Sequence, residues 1–150
     1  MDEPMKGSCQ CGQVHYEADA PPVLSLACHC LDCQKLSGTA FSVTLVFKEE
    51  NFHIDGDLAR YEAKADSGST KIGYFCPTCG NRIYHTDPAM PGSIRLKPGT
   101  LDNAPLTEPQ THVWTSRKQP WVEIPDDVPS FSHNAENLGQ ALKAYAKRRT

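Results

Sequence analysis

The sequence predicts a mainly β fold, and three observations carry the prediction. Short segments rich in β-branched and aromatic residues recur along the chain. Gly, Pro, Asp or Asn punctuate the breaks between them, as at Asp55-Gly56-Asp57, Asp66-Ser67-Gly68-Ser69 and Pro98-Gly99. One long stretch only, Ala135 to Arg148, carries a helical period.

Taken in order, Val14-His15-Tyr16 is the first predicted strand, and Val23 to Ala27 runs straight into Cys28. A short helix is expected over Leu31 to Ser37, stopped by Gly38, since glycine accepts the left-handed backbone that ends a helix. Phe41 to Phe47 reads as a strand, and Phe52 to Ile54 and Ala59 to Ala63 alternate with a period of two. Lys71 to Phe75 leads into a Cys-x-x-Cys and Arg82 to His85 leads out of it. Ile94 to Leu96 and His112 to Trp114 are the last strands expected. In the C-terminal helix Asn134 is the expected N-cap, Glu136 favours the first turn and Lys147, Arg148 and Arg149 the last. Leu138, Leu142 and Tyr145 fall on one face of it. The proline-rich, acidic stretch Pro120 to His133 is expected to wrap the surface ahead of that helix.

Size and charge bound the function. The 150 residues are 39% hydrophobic and 22% charged, enough to bury one core. No apolar run approaches the roughly 18 residues that span a bilayer, so a membrane role is not expected. Asp2, Glu3 and Pro4 follow Met1 in place of an apolar stretch, so no secretory signal and a cytoplasmic location are expected. A net charge of −3 argues against non-specific binding to nucleic acid.

Cysteine is what departs from an ordinary composition. The seven form three tight groups, Cys9-x-Cys11, Cys28-x-Cys30-x-x-Cys33 and Cys76-x-x-Cys79. Disulfide scaffolds are usually secreted and even in number, whereas clustered cysteines in a reduced compartment read as thiolate metal ligands. Zinc fits short knuckles separated by long insertions, with an iron–sulfur cluster as the alternative. A structural zinc takes four protein ligands and a catalytic one takes three, leaving a position open. The simplest partition pairs Cys9 and Cys11 with Cys76 and Cys79, and leaves Cys28, Cys30 and Cys33 as a trio. The other partition joins the trio to one outer cysteine and breaks the second site. Four thiolates on a divalent ion leave −2 and a saturated site. Three leave −1 and a vacancy where a substrate thiol would ionise.

These residues sit in longer motifs. They are Gly7-Ser8-Cys9-Gln10-Cys11-Gly12-Gln13-Val14-His15-Tyr16, Cys28-His29-Cys30-Leu31-Asp32-Cys33-Gln34-Lys35-Leu36-Ser37-Gly38 and Tyr74-Phe75-Cys76-Pro77-Thr78-Cys79-Gly80-Asn81-Arg82-Ile83-Tyr84. Gly99-Thr100-Leu101-Asp102, Pro109 to Trp114 and Pro120-Trp121 follow. In these motifs the chain resembles the glutathione-dependent formaldehyde-activating enzyme family, also described with the centromere protein V domain. The resemblance runs from about Gly7 to Trp121. It implies a single zinc-binding domain over residues 1–150, with a C-terminal extension and helix over 122–150. It also implies folded antiparallel sheets of the β-tent type with zinc knuckles.

The same resemblance implies two zinc ions. Cys9, Cys11, Cys76 and Cys79 would hold a structural one, and Cys28, Cys30 and Cys33 a catalytic one with an open position. The implied activity joins glutathione to formaldehyde, giving S-(hydroxymethyl)glutathione, and is classed as a carbon–sulfur lyase by its reverse. Lys35 and Arg82, just beyond the knuckles, are candidate contacts for glutathione carboxylates, with solvated surface cations as the alternative. Ser37 is a weaker candidate, which otherwise shapes the turn after the trio. His29 is either a ligand or proton shuttle, or points away from the metal. His112 is either functional or a hydrogen-bonded strand histidine. Trp114 and Trp121 read as core or pocket wall. The basic residues Lys143, Lys147, Arg148 and Arg149 are explained by a helix C-terminus. A zinc-stabilised binding module and a thiol redox switch are the alternatives to an enzyme. The sequence does not fix the oligomeric state.

Overall fold

The computed structural model describes residues 3–65, 67–105, 108–135 and 138–148. Residue contacts divide the chain into two compact units, Met1–Leu24 with Leu45–Thr107, and Ser25–Thr44 with Glu108–Thr150. The fold is mainly β, with ten strands and two α-helices among the described residues.

The first unit holds a three-stranded antiparallel sheet in the order β1-β2-β5, from Met5–Ser8, His15–Ala18 and Phe52–Asp55. β2 alternates as its sequence suggests, with Tyr16 and Ala18 buried and His15 and Glu17 exposed. The sequence does not announce β1. Met-Lys-Gly-Ser lacks β-branched and aromatic residues, and the strand exists by pairing with β2, Met5 opposite Ala18 and Ser8 opposite His15. A second antiparallel set runs β9-β8-β7-β6, Ser93–Leu96, Arg82–Thr86, Thr70–Phe75 and Ala59–Lys64. The Leu45–Lys48 half of β4 (Ser42–Lys48) pairs with β9, Leu45 opposite Leu96. The core is apolar. Val14, Leu45, Phe47, Ile83 and Leu96 are each 0 or 1% exposed. Burial at this depth contributes about 1.5–3 kcal/mol per large aliphatic or aromatic side chain.

The second unit is built differently. β3 (Leu24–Cys28) and β10 (Thr111–Val113) pair in parallel, Leu26 opposite Thr111 and Cys28 opposite Val113, so the sheets are mixed and not wholly antiparallel. A parallel pair needs a long crossover, and everything between Cys28 and Thr111 supplies it. α1 spans Leu31–Ser37 as expected and ends at Gly38 in the left-handed conformation, whose N–H bonds to Gln34 O. The interior here is mixed: Ser25, His29, Ser42, Thr44, Thr111 and His112 are buried beside Ala27, Val113, Val122, Val128 and Tyr145.

One sequence expectation is corrected in this unit. Trp114 is not a strand residue; it adopts φ 57° and ψ 39°, which ends β10 and turns the chain into the 3₁₀ turn Thr115–Arg117. Asn134 Oδ1 accepts the indole N–H of Trp114 at 2.9 Å, and its expected role as N-cap of the C-terminal helix, α2 (Leu138–Arg148), turns on residues outside the described ones. The stretch from Pro120 to His133 does more than wrap the surface. It bonds along β10, His112 N–H to Pro129 O and Phe131 N–H to His112 O, and it buries Val122 and Val128. Tyr145 on α2 is buried and Leu142 half-buried, and the Tyr145 hydroxyl donates to Glu108 at 3.0 Å. The expectations at Asp66, Glu136 and Arg149, and for the side chains of Leu138 and Arg148, lie outside the described residues. No described helix is long and apolar enough to cross a membrane.

Candidate functional site

Two sulfur clusters form, one in each unit. In the first unit Cys9 follows β1 and Cys76 follows β7, so two loops bring Cys9, Cys11, Cys76 and Cys79 together. Their four sulfurs all lie within 4.8 Å of one another. The spacing fits a metal and not a disulfide. Cys9 Sγ is 3.6 Å from Cys11 Sγ, and Cys11 Sγ is 3.7 Å from Cys76 Sγ. A tetrahedral zinc with bonds of about 2.3 Å needs sulfurs about 3.8 Å apart, whereas a disulfide needs about 2.05 Å.

Backbone geometry and neighbouring amides set the four sulfurs. Gly80 turns at φ 77°, a left-handed angle that an L side chain rarely adopts, and its N–H closes the knuckle on Cys76 O at 2.8 Å. Asn81 ties the two loops, its Oδ1 accepting from Gln10 N–H at 3.1 Å and its backbone O from Cys76 N–H at 3.0 Å. Val14 N–H donates to Cys9 Sγ and Gln13 Nε2 to Cys76 Sγ, each at 3.3 Å. Hydrogen bonds to the charged form favour it. The Cys76 thiol is thereby pulled down to about 6, chiefly by the Cys79 N–H. Burial raises the Cys9 thiol, and the Val14 N–H and the Cys11 thiol outweigh it.

In the second unit a single run of chain supplies three sulfurs. Cys28 ends β3, Cys30 caps α1 with its Sγ accepting from Cys33 N–H at 3.3 Å, and Cys33 lies one helical turn on. The three sulfurs are within 4.8 Å of one another, and no other Cys, His, Asp or Glu among the described residues joins them. The cluster places its first negative charge on Cys30, whose pKa falls through the thiols of Cys28 and Cys33 and the N–H groups of Cys33 and Asp32. Cys28, the donor in that arrangement, is pushed up to about 11. The donor set fits zinc with one position open.

His29 does not belong to this sulfur group. Its side chain is 0% exposed and its Nε2 lies 2.8 Å from His112 Nδ1, while its ring packs on Phe41 at 5.0 Å. Its other nitrogen, Nδ1, is buried without a partner. Burial, then the nearby His112 and Lys118, push His29 down to about 4, and burial lowers His112. The two are therefore a neutral pair sharing one N–H···N bond near neutral pH. The backbone beneath is braced as well: His29 N–H bonds to Val113 O, and Gln34 Nε2 donates to His29 O and to Arg117 O.

The model of the family described as glutathione-dependent formaldehyde-activating enzyme matches residues 4–117. The chain belongs to this family. That span holds all seven cysteines and both clusters. No curated protein matches the chain. It is similar in fold to a Rhodobacter sphaeroides protein whose crystal structure is known, at 20% identity and a TM-score of 0.54, over 67% of this chain and 91% of that one. Membership of the formaldehyde-activating family fits an activity related to glutathione and formaldehyde, and both clusters can hold zinc.

The residues expected to touch substrate are less uniform. Lys35 is exposed on α1, the helix that carries Cys33. The Ser37 hydroxyl is engaged locally, donating to Cys33 O at 2.7 Å. Arg82 lies in the first unit, half-buried on β8. Trp121 is 73% exposed, so it is not core. Three polar residues went unassigned in the sequence although a signal was there. Gln13, Gln34 and Asn81 each follow the last cysteine of a group by one or two positions, and each braces that group.

Proposed function

We propose that this chain joins a small thiol, glutathione, to formaldehyde, giving S-(hydroxymethyl)glutathione, and runs the reverse as a carbon–sulfur lyase. The ligand count carries this reading: the chain holds a four-sulfur group and, separately, a three-sulfur group with no fourth donor among the described residues. The family description supports the thiol and the aldehyde. In the reaction the thiol loses its proton and a C–S bond forms as the carbonyl π bond opens. The proton ends on the former carbonyl oxygen.

In this reading Cys9, Cys11, Cys76 and Cys79 hold a structural zinc and Cys28, Cys30 and Cys33 a catalytic one. Zinc on three thiolates keeps one coordination position open and supplies the Lewis acidity that ionises a thiol arriving there. The chain's own residues prepare the position. Cys30 is fixed as an N-cap, so its sulfur is set by the start of α1. The neutral His29–His112 pair leaves the net charge of the trio unaltered while holding the backbone between Cys28 and Cys30. Lys35 is the cation on the trio's own helix and offers a contact for a glutathione carboxylate. The free cysteines suit a reducing, cytoplasmic compartment.

The test is zinc and thiol stoichiometry on protein purified without oxygen, with and without glutathione, followed by the rate of glutathione–formaldehyde exchange. The expected result is two zincs per chain, one labile and protected by glutathione, and exchange accelerated by wild type but not by Cys30→Ser. One tight zinc that glutathione leaves unchanged overturns the reading in favour of a binding module. Reversible oxidation of the trio with loss of zinc overturns it in favour of a redox switch.

A further inference from the structure

The first unit carries a row of cations on the sheet face opposite its apolar core. Across β9, β8 and β7 the register sets Arg95 opposite His85 and His85 opposite Gly73, so all three share a face. A bulge extends the row. Tyr74 pairs with Tyr84, yet Phe75 pairs with Arg82, so Ile83 is the extra residue. Ile83 and Tyr84 both turn into the core, and Arg82 is re-aimed to the side of His85. Its guanidinium then lies over Gly73, where an added Cβ would collide with it, and 6.0 Å from the Phe75 ring centre. Lys97, two residues past Arg95, is 9% exposed. Lys71, two residues before Gly73, completes the row.

Negative charge on this face is scarce. Asp87 is 5% exposed and is paired to Lys71 Nζ at 2.8 Å and to Ala89 N–H at 2.9 Å. Among the described residues no carboxylate lies within salt-bridge distance of Arg82 or Arg95. Arg95 donates to two neutral acceptors, Ser93 Oγ at 3.3 Å and Met90 Sδ at 3.1 Å, and feels the charge of Asp87 without pairing to it. His85 Nδ1 is buried with no partner. Burial, then Lys97, Arg95, Lys71 and Arg82, hold His85 well below its ordinary pKa, so it adds no charge of its own. Burying a guanidinium without a counter-ion is unfavourable. Arg82 and Arg95 are both half-buried, and burial lowers both, in Arg95 partly offset by Asp87.

We propose that the Arg82–His85–Arg95 face is a binding site for a small oxyanion, a carboxylate or a phosphate. Two guanidinium forks match the paired oxygens of either group. Gly73 is what lets the Arg82 fork lie against the sheet. The site lies within the first unit and is independent of the three-cysteine chemistry.

The test is a titration of the zinc-loaded full chain, followed by amide and imidazole resonances, with inorganic phosphate, with succinate and with glutathione in separate arms. Saturable shifts at Gly73, His85 and Arg95 are expected with at least one of them. The arm that saturates identifies the source as free phosphate, a dicarboxylate or the carboxylates of the thiol substrate. Arg82→Gln and Arg95→Gln should each weaken binding by about tenfold or more, the scale of a charge-assisted hydrogen bond. Arg60→Gln, at an exposed cation paired with Glu62, should leave it unchanged. Arg82→Lys, which keeps the charge and loses the fork, should weaken binding less than Arg82→Gln. The absence of saturable shifts in every wild-type arm overturns the proposal. Equal weakening by Arg60→Gln overturns it too, since that would mark a diffuse surface charge.

Discussion

The two sulfur clusters sit in differently built surroundings. The four-cysteine group is part of an apolar core, where Cys9 and Cys76 pack with Val14, Ile83 and Leu96. The three-cysteine group is framed by polar side chains, with His29, His112, Ser25 and Thr111 buried around its strands and Gln34 bracing its backbone. An apolar core takes its stability from area removed from water. A polar frame must have each donor and acceptor matched, because a buried unsatisfied group costs about 1–3 kcal/mol. The contrast suits the two roles proposed for the clusters. A closed site can merge its metal-binding energy with folding. A site that must admit a substrate needs a frame that keeps its shape by hydrogen bonds of its own.

The strongest way to break the comparison is to remove one sulfur from each side. Structural zinc in small domains contributes about 10–16 kcal/mol, as much as or more than the roughly 5–15 kcal/mol net stability of a whole domain. Cys76→Ser should therefore lose the tightly held zinc and the dispersed amide spectrum of the first unit. Cys30→Ser should lose the labile zinc and keep the cooperative melt within a few degrees of wild type. Matching losses of zinc and melting temperature in the two variants would show that the trio is as structural as the quartet.

Much of this was legible in the sequence. All nine strands it announced are present, and α1 matches residue for residue, because periodicity and the Gly38 stop are local signals. The grouping of seven cysteines into four and three was legible from spacing alone. What escaped is non-local. β1 has no propensity of its own and forms because β2 offers it a partner. Trp114 reads as the third residue of a strand, yet it takes a left-handed turn that tertiary contacts enforce, its N–H bonding to His133 O and its indole to Asn134. A bulky residue rarely adopts such a φ without them. The His29–His112 pair joins positions 83 residues apart, and no local pattern brings them together. The bulge that re-aims Arg82 is equally invisible before the register is known.

A second, smaller perturbation probes the polar frame itself. His112→Phe keeps most of the ring volume but removes Nδ1, leaving His29 Nε2 buried without its partner. A loss of about 1–3 kcal/mol is expected, read as faster hydrogen exchange at the His29 amide, with the chelator-resistant zinc unchanged. Acid should attack the same pair. His29 is depressed to about 4 in the folded chain, against about 6.5 unfolded. Its contribution is therefore fully present above about pH 6.5 and is lost as pH falls towards 4. Melting temperature measured across that window should fall less steeply in His112→Phe than in wild type, because part of the pair is already gone. Parallel slopes would mean that acid acts elsewhere, and the pair would lose its place in the comparison.

The smallest effect is the most even-handed test, since it makes the same backbone change in both interiors. Gly80 and Gly38 both sit in the left-handed region, at φ 77° and 67°, and an added Cβ at either meets nothing within 4 Å. Alanine at each position therefore adds backbone strain with no steric clash, about 1 kcal/mol in either case. The consequences should differ by neighbourhood. Gly80 closes the knuckle next to Cys79, so Gly80→Ala should speed release of the tightly held zinc to a chelator. Gly38 ends α1 beyond the trio and the Ser37 hydroxyl still holds that turn. Gly38→Ala should lower the melting temperature by a similar few degrees while leaving tight-zinc release at the wild-type rate. Equal acceleration of zinc release by the two variants would show that strain passes freely from one interior to the other, and the contrast between a metal-bonded core and a self-supporting polar frame would fall.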